Sequence, residues 1–291
     1  MKSRIYFLVF TIIIGMFSLN TALASVVTDG LVSYWTFDNI HIIDKTVKDV
    51  WGDNNGTISG NPKVVPGHVG ESLEFDGKGD FVNLTTLGEF GKQMGTFTFE
   101  AWIKTSNNTG WMTLINTHGA ECPYWDIQLN GVKEGNVFRA FPGRLFFVNS
   151  LLPKQNGECT AFLIGTTSLN IKNRLNIYDG EWHHIVYTNE HLIEEGKSHA
   201  LVYIDTKSNA KSTGKFGDAW TSFPFTEPVH LGARNFGGKP EGFFEGIIDE
   251  VRFYDRPLTL KEIRQNFEST TPYNVEPKGK LSTVWATIKA K

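Results

Sequence analysis

Phe97-Thr98-Phe99-Glu100-Ala101-Trp102-Ile103 places apolar residues at every second position. Side chains along a strand alternate between faces, so Phe97, Phe99, Ala101 and Ile103 share one side. Further short β-type runs follow at Arg144–Val148, Ile185–Tyr187, Ala200–Asp205 and Gly246–Tyr254. Turn-forming clusters separate them, among them Gly60-Asn61-Pro62, Asp76-Gly77-Lys78-Gly79-Asp80 and Asn235-Phe236-Gly237-Gly238. Many short strands punctuated by such turns predict an all-β protein, a two-sheet antiparallel β-sandwich. One helix is expected, over Leu258–Phe267 and just after Pro257. Thr259 can cap it, with Glu262 three residues on completing a capping box, and Ile263 and Phe267 share a face.

The chain has 291 residues, a formal net charge of -3, 40% hydrophobic and 13% aromatic residues. That much apolar surface excludes general disorder. The near-neutral balance gives no basic field for nucleic acid. At the N-terminus, Lys2 and Arg4 precede an apolar run from Ile5 to Leu19, and Ala22-Leu23-Ala24 follows. This is the pattern of a signal peptide cleaved after Ala24, and the run is short of the ~20 residues that span a bilayer. The expected organisation is a signal peptide over 1–24, a sandwich over 25–271 and a tail over 272–291. The expected location is secreted, periplasmic or cell-surface, with no membrane span after cleavage. The tail carries Lys278, Lys280, Lys289 and Lys291. It reads either as mobile or as a segment that docks through Leu281, Trp285 and Ile288. Export permits one disulfide between Cys122 and Cys159, the alternative being two free thiols.

Six short motifs, in order, resemble the laminin-G-like jelly-roll domains of the concanavalin A-like lectin/glucanase superfamily. They are Leu31–Asp38 with Trp35-Thr36-Phe37-Asp38, the Asp49–Thr57 loop, Gly67–Val82 with Phe75-Asp76-Gly77, Phe97–Ile103, Glu181–Val186 with Trp182-His183-His184, and Phe244–Tyr254. The resemblance spans Ser25 to Ser269. It departs at Tyr203-Ile204-Asp205-Thr206, where relatives end the hairpin in Asp-Gly, and it is weakest between Trp111 and Asp179. It implies a jelly-roll arrangement of the two sheets.

The resemblance also implies a structural calcium (Ca2+), held by Asp38, Asn55 and Asp249, with Asp49 as a fourth candidate. Calcium takes six to eight oxygen ligands, so acids and amides at strand ends suit it. The alternative is that these side chains cap turn amides. His183 and His184 are adjacent in a strand and point to opposite faces, which argues against a shared metal. Retaining glycosidases need two carboxylates about 5–5.5 Å apart. The superfamily's glucanases carry them on one strand, and no such motif occurs here. Asp249 and Glu250 are adjacent and expected on opposite faces. Exposed aromatics stack on sugars, and the candidates are Trp111, Tyr124, Trp125 and Trp220, with Phe236 and Phe243. Trp125 beside Asp126 and Gln128 is the most suggestive group. The expected function is therefore non-catalytic recognition of an extracellular glycan or glycoprotein. The alternatives are a protein–protein adhesion or surface-assembly module and a glycan-cleaving enzyme.

Overall fold

The computed structural model describes residues 25–88, 95–117, 124–134, 137–150, 162–165, 176–192, 195, 197–215 and 228–270. Numbered along the chain, the first sheet holds β1 (Leu31–Trp35), β5 (Lys63–Pro66), β6 (Glu71–Asp76), β8 (Phe97–Lys104), β13 (Trp182–Leu192), β14 (Lys197–Ile204), β15 (Lys207–Lys215) and β19 (Glu245–Tyr254). The second holds β2 (Ile42–Ile43), β3 (Thr46–Val47), β4 (Gly56–Ser59), β7 (Phe81–Asn83), β9 (Met112–Asn116), β10 (Tyr124–Glu134), β11 (Val137–Ser150), β12 (Phe162–Gly165) and β16 (His230–Leu231). A small hairpin, β17 (Arg234–Phe236) and β18 (Lys239–Glu241), stands apart. The first sheet runs β15-β14-β13-β8-β19-β6-β5. β19 pairs with β6 along its first half and with β1 along its second. The second sheet runs β12-β11-β10-β9-β16-β7-β4-β3-β2. The fold is the expected all-β sandwich.

The alternation read at Phe97–Ile103 sets the core. Phe97, Phe99, Ala101 and Ile103 are buried between the sheets with Trp35, Phe147, Tyr187 and Phe253. The hairpin that lacks its glycine still closes in two residues, with Asp205 and Thr206 at φ 49 and 64. Those are the angles of a type I′ turn, which Asp tolerates better than most residues.

Part of the opposite face of the first sheet is buried as well. Tyr34, Val186, Tyr203 and Tyr254 form a second apolar cluster with Val26, Val27, Leu258 and Ile263. The last two flank and belong to α1 (Leu260–Glu268), which begins two residues later than the sequence suggests. Thr259 caps it with both halves of the capping box in place. Within this layer Arg252 is fully buried. Its Nη1 donates to Glu100 at 2.8 Å, its Nη2 to Glu250 and to the Tyr34 hydroxyl, and its guanidinium lies 4.3 Å over the Tyr34 ring. Asn266 of α1 donates to Glu100 and to the Tyr254 hydroxyl, both at 2.9 Å, and accepts from the backbone N–H of Val27 at 2.8 Å. Sheet, helix and N-terminal segment thus meet at one polar knot.

Breaking a buried pair by deleting one partner costs about 3–5 kcal/mol. Arg252→Met, which strands both Glu100 and Glu250, should lower urea-unfolding stability by that order. Burial alone would raise the Glu100 pKa, but His184 and Arg252 overcome it and hold the carboxyl at about 2. Its folded value lies below its unfolded value, so its contribution is present above about pH 4.5 and is lost as pH falls towards 2. Glu100→Gln should flatten the fall of the urea midpoint across that interval.

Candidate functional site

The four residues named for calcium fall into two structural tasks. The Asp49 carboxylate accepts four backbone N–H groups, from Tyr34 (2.9 Å), Trp51 (3.1 Å), Gly52 (2.9 Å) and Asn54 (3.1 Å). Asn55 Oδ1 accepts from the Asp49 N–H at 3.0 Å. These two shape the 49–55 loop. Asp38 and Asp249 instead hold the 67–71 loop. Asp249 Oδ2 accepts from His68 (2.8 Å) and Val69 (3.0 Å), and Asp38 Oδ1 accepts from Glu71 (2.8 Å). Gly70, at φ 61, is needed there because a Cβ would run into the Asp38 carboxylate. Among the described residues, no three His, Cys, Asp or Glu side chains are grouped to hold a metal ion. Asp49 with Asn55, and Asp38 with Asp249, thus anchor two different loops.

Asp249 and Glu250 depart from the expected alternation. A bulge between Asp249 and Arg252, with Glu250 at φ 54, turns both carboxyls to the outer face of the first sheet. Burial, then the neighbouring Glu250 charge, pushes the Asp249 carboxyl well above the usual range. Burial raises Glu250 to about 6 against the pull of Arg252. His183 and His184 do split between faces. His183 meets Asp205 at 2.8 Å and Asp179 at 3.0 Å, while His184 Nε2 lies 3.3 Å from Glu100.

Trp125 is not a sugar platform. It is 1% exposed, and its ring packs at 5.2 Å from Phe97, 5.4 Å from Phe99 and 5.4 Å from Tyr187. The apolar alternation Trp125, Ile127, Leu129 carried that signal in the sequence, with Asp126, Gln128 and Asn130 on the other side. Asp126 accepts from Asn116 and, at 3.0 Å, from Gln128, and burial raises its carboxyl to about 6. Trp111 joins this group, donating from Nε1 to Gln128 Oε1 at 2.9 Å. Its ring leans on Gly242, where a Cβ would come within 2.7 Å of it. Phe236 lies under the Arg234 guanidinium at 5.0 Å, and Phe243 lies 6.5 Å from Phe81. Tyr124 lies on β10 by its backbone. Cys122, Cys159, Trp220, the 1–24 segment and the 272–291 tail lie outside the described residues.

The open polar site lies elsewhere, on the part of the first sheet's outer face beyond the reach of α1. A groove of about 800 Å³ is lined there by Lys63, Glu74, Asp76, Lys104, Asn107 and Glu245, with Gly246 and Ile247. One wall is the 76–80 turn. Asp76 Oδ1 accepts from Lys78 (2.8 Å) and Gly79 (3.2 Å), and Asp80 accepts from Asn61 (2.7 Å) and Asp76 (3.2 Å). Those backbone N–H groups, Lys78's first, hold the Asp76 carboxyl below its ordinary range and so ionised. The facing wall is the 105–110 loop, pinned by Asn107 Nδ2 to Glu245 at 2.9 Å and by Thr105 Oγ1 to the Glu245 carbonyl at 2.7 Å. No ion pair or hydrogen bond engages the side chains of Lys63, Glu74 or Lys104 among the described residues. The sequence held no motif for this groove, because its residues come from five separate segments.

A sandwich of two antiparallel sheets with this motif order defines a lectin-like jelly roll. The chain belongs to the concanavalin A-like lectin/glucanase superfamily, whose laminin G family model matches residues 76–264. No curated relative matches the sequence. Among similar solved structures is the binding domain of Paraclostridial Mosquitocidal Protein 1, 17% identical with a TM-score of 0.55 over 82% of this chain and 52% of that one. Domain 4 of AbnA, an extracellular arabinanase from Geobacillus stearothermophilus solved with arabinotriose, is 20% identical with a TM-score of 0.54, over 82% of this chain and 98% of that one. The binding domain of botulinum neurotoxin DC in complex with SialylT is 17% identical with a TM-score of 0.54, over 85% and 53%. The chain thus spans about half of either toxin domain and matches nearly all of the arabinanase domain. At these identities the likeness shows the fold. No helix among the described residues is long and apolar enough to cross a membrane.

Asp49→Ala should cost about 1–3 kcal/mol, the scale for leaving buried polar groups unpaired. Asp49→Asn, which keeps one acceptor oxygen, should cost less than half of that by urea unfolding.

Proposed function

We propose that this protein is an exported, non-catalytic module that binds a glycan in the groove between the 76–80 turn and the 105–110 loop. The observation that carries this reading is the groove itself, open, about 800 Å³, and lined by ammonium, carboxylate and amide groups of which Lys63, Glu74 and Lys104 are unengaged. Sugar hydroxyls donate and accept, so they are satisfied where both kinds of partner stand close together. The volume falls within the usual range of ligand sites, ~300–1,000 Å³. Export rests on the signal-peptide pattern at Lys2–Ala24. The glycans bound in the similar arabinanase and neurotoxin domains support the same class of partner.

The places of the carboxyls with raised pKa support a binding rather than a cleaving role. A general acid needs a raised pKa and access to the glycosidic oxygen. Burial raises Asp126, Asp249 and Glu250, and all three are enclosed and already hydrogen-bonded. Asp76, in the groove, is held ionised by its turn.

Glycan-array screening followed by calorimetry tests the proposal. Glu74→Ala and Lys104→Ala should each weaken binding at least tenfold with the fold intact. Undiminished binding in both would place the site elsewhere, and soluble product released from a bound polysaccharide would make the protein an enzyme. A structural calcium is a separate proposal, which would require Asp38 or Asp249 to share oxygens with the loop amides they already accept. A Tm that calcium raises, EDTA lowers and Asp249→Asn makes insensitive would establish it. An unchanged Tm would leave these acids as loop anchors.

A further inference from the structure

Strand register puts one residue from each of five strands in a single row, of which Lys63, Glu74, Ile247 and Lys104 line this groove and Trp182 follows past its end. Lys63 of β5 pairs with Glu74 of β6, Glu74 with Ile247 of β19, Ile247 with Lys104 of β8, and Lys104 with Trp182 of β13. Directly opposed residues of an antiparallel sheet point to the same face. The row therefore crosses the outer face of the sheet at right angles to its strands. Neighbouring strands lie about 4.8 Å apart, so four intervals make a row of about 19 Å. That interval is close to the advance of an extended glycan per pyranose unit.

The chemistry along the row alternates. Lys63 offers donors, Glu74 acceptors, Ile247 an apolar surface and Lys104 donors again. A run of vicinal hydroxyls, with a C–H face at intervals, matches that order. A polyanion does not, because Glu74, Asp76, Asp80 and Glu245 outnumber the two lysines in the lining. Trp182 closes the row and is half-buried. His68 lies beside it with ring centres 6.0 Å apart and planes at 65°, and His68 is itself stacked on Trp102 at 3.5 Å. The indole is thus braced on one side by rings that the fold already fixes.

We infer that the groove, continued past its end by Trp182, takes a neutral oligosaccharide of about four units, laid across the strands from Lys63 to Trp182, with the Trp182 indole as its stacking platform. This rests on the glycan-binding reading of the groove and adds the length, charge and direction of the ligand.

Calorimetry of the whole chain with ladders of neutral oligosaccharides from one to six units tests it. Suitable probes are cello-, xylo-, laminari- and arabino-oligosaccharides, with oligogalacturonates as acidic controls. Affinity should rise at least tenfold from two units to four and then level off. Trp182→Ala and Lys63→Ala, at opposite ends of the row, should each erase most of that gain while sparing the shorter ligands. Lys63 is exposed, so its variant keeps the test decisive if Trp182→Ala fails to fold. Affinity that is flat beyond two units, or a preference for oligogalacturonates, would overturn the inference and leave a groove that binds glycans differently. Length-dependent binding that both end variants leave intact would also overturn it. If Glu74→Ala changes no binding, or no ligand of either series binds, the groove reading fails with it.

Discussion

A guanidinium removed from water must find its counter-charges inside the protein, and Arg252 imposes that demand on the outer face of the first sheet. Glu100 comes from β8, Glu250 from a bulge in β19 and Tyr34 from β1. None of these groups could stay buried without the others. Asn266 extends the demand to α1 and, through Val27, to the first described residues of the chain. The two ends of the domain are therefore closed over the sheet by polar bonding as much as by apolar contact. Glu100 shows how tightly: its carboxyl is held at about 2 in a site where burial alone would have raised it.

Closure of one half of the face leaves the other half to the groove. α1 and the N-terminal segment cover the region of Arg252, Tyr254 and His184, while the groove from Lys63 to Lys104 lies beyond them. His68 stands at the border, stacked on buried Trp102 and tilted beside Trp182. The loop that carries His68 is fixed by Asp38 and Asp249, and the groove walls by Asp76, Asp80 and Asn107. Carboxylates that receive backbone N–H groups thus do the shaping throughout this side of the molecule.

Most of the fold was legible in the sequence, because local alternation and turn chemistry act within a few residues. Phe97–Ile103 gave the inward face of β8, and Thr259 with Glu262 gave the start of α1 to within two residues. His183 and His184 split as adjacent strand residues must. Where the reading went astray, a local departure or a choice of side was responsible. One extra residue in β19 puts Asp249 and Glu250 on the same side instead of on opposite ones. Trp125 looked like a sugar platform beside polar neighbours, yet its apolar partners at 127 and 129 place it in the core.

The sequence by itself determined the two-sheet class, the family, the helix cap and which residues alternate, since each depends on neighbours along the chain. Tertiary structure alone decided that Arg252 meets Glu100 across 152 positions. It also decided that Asp49 and Asn55 serve one loop while Asp38 and Asp249 serve another. The groove belongs to the same class of fact. Residues 63, 74, 104, 182 and 247 share nothing in sequence and become a row only through the hydrogen-bond register of five strands, a property of pairing that no single segment contains.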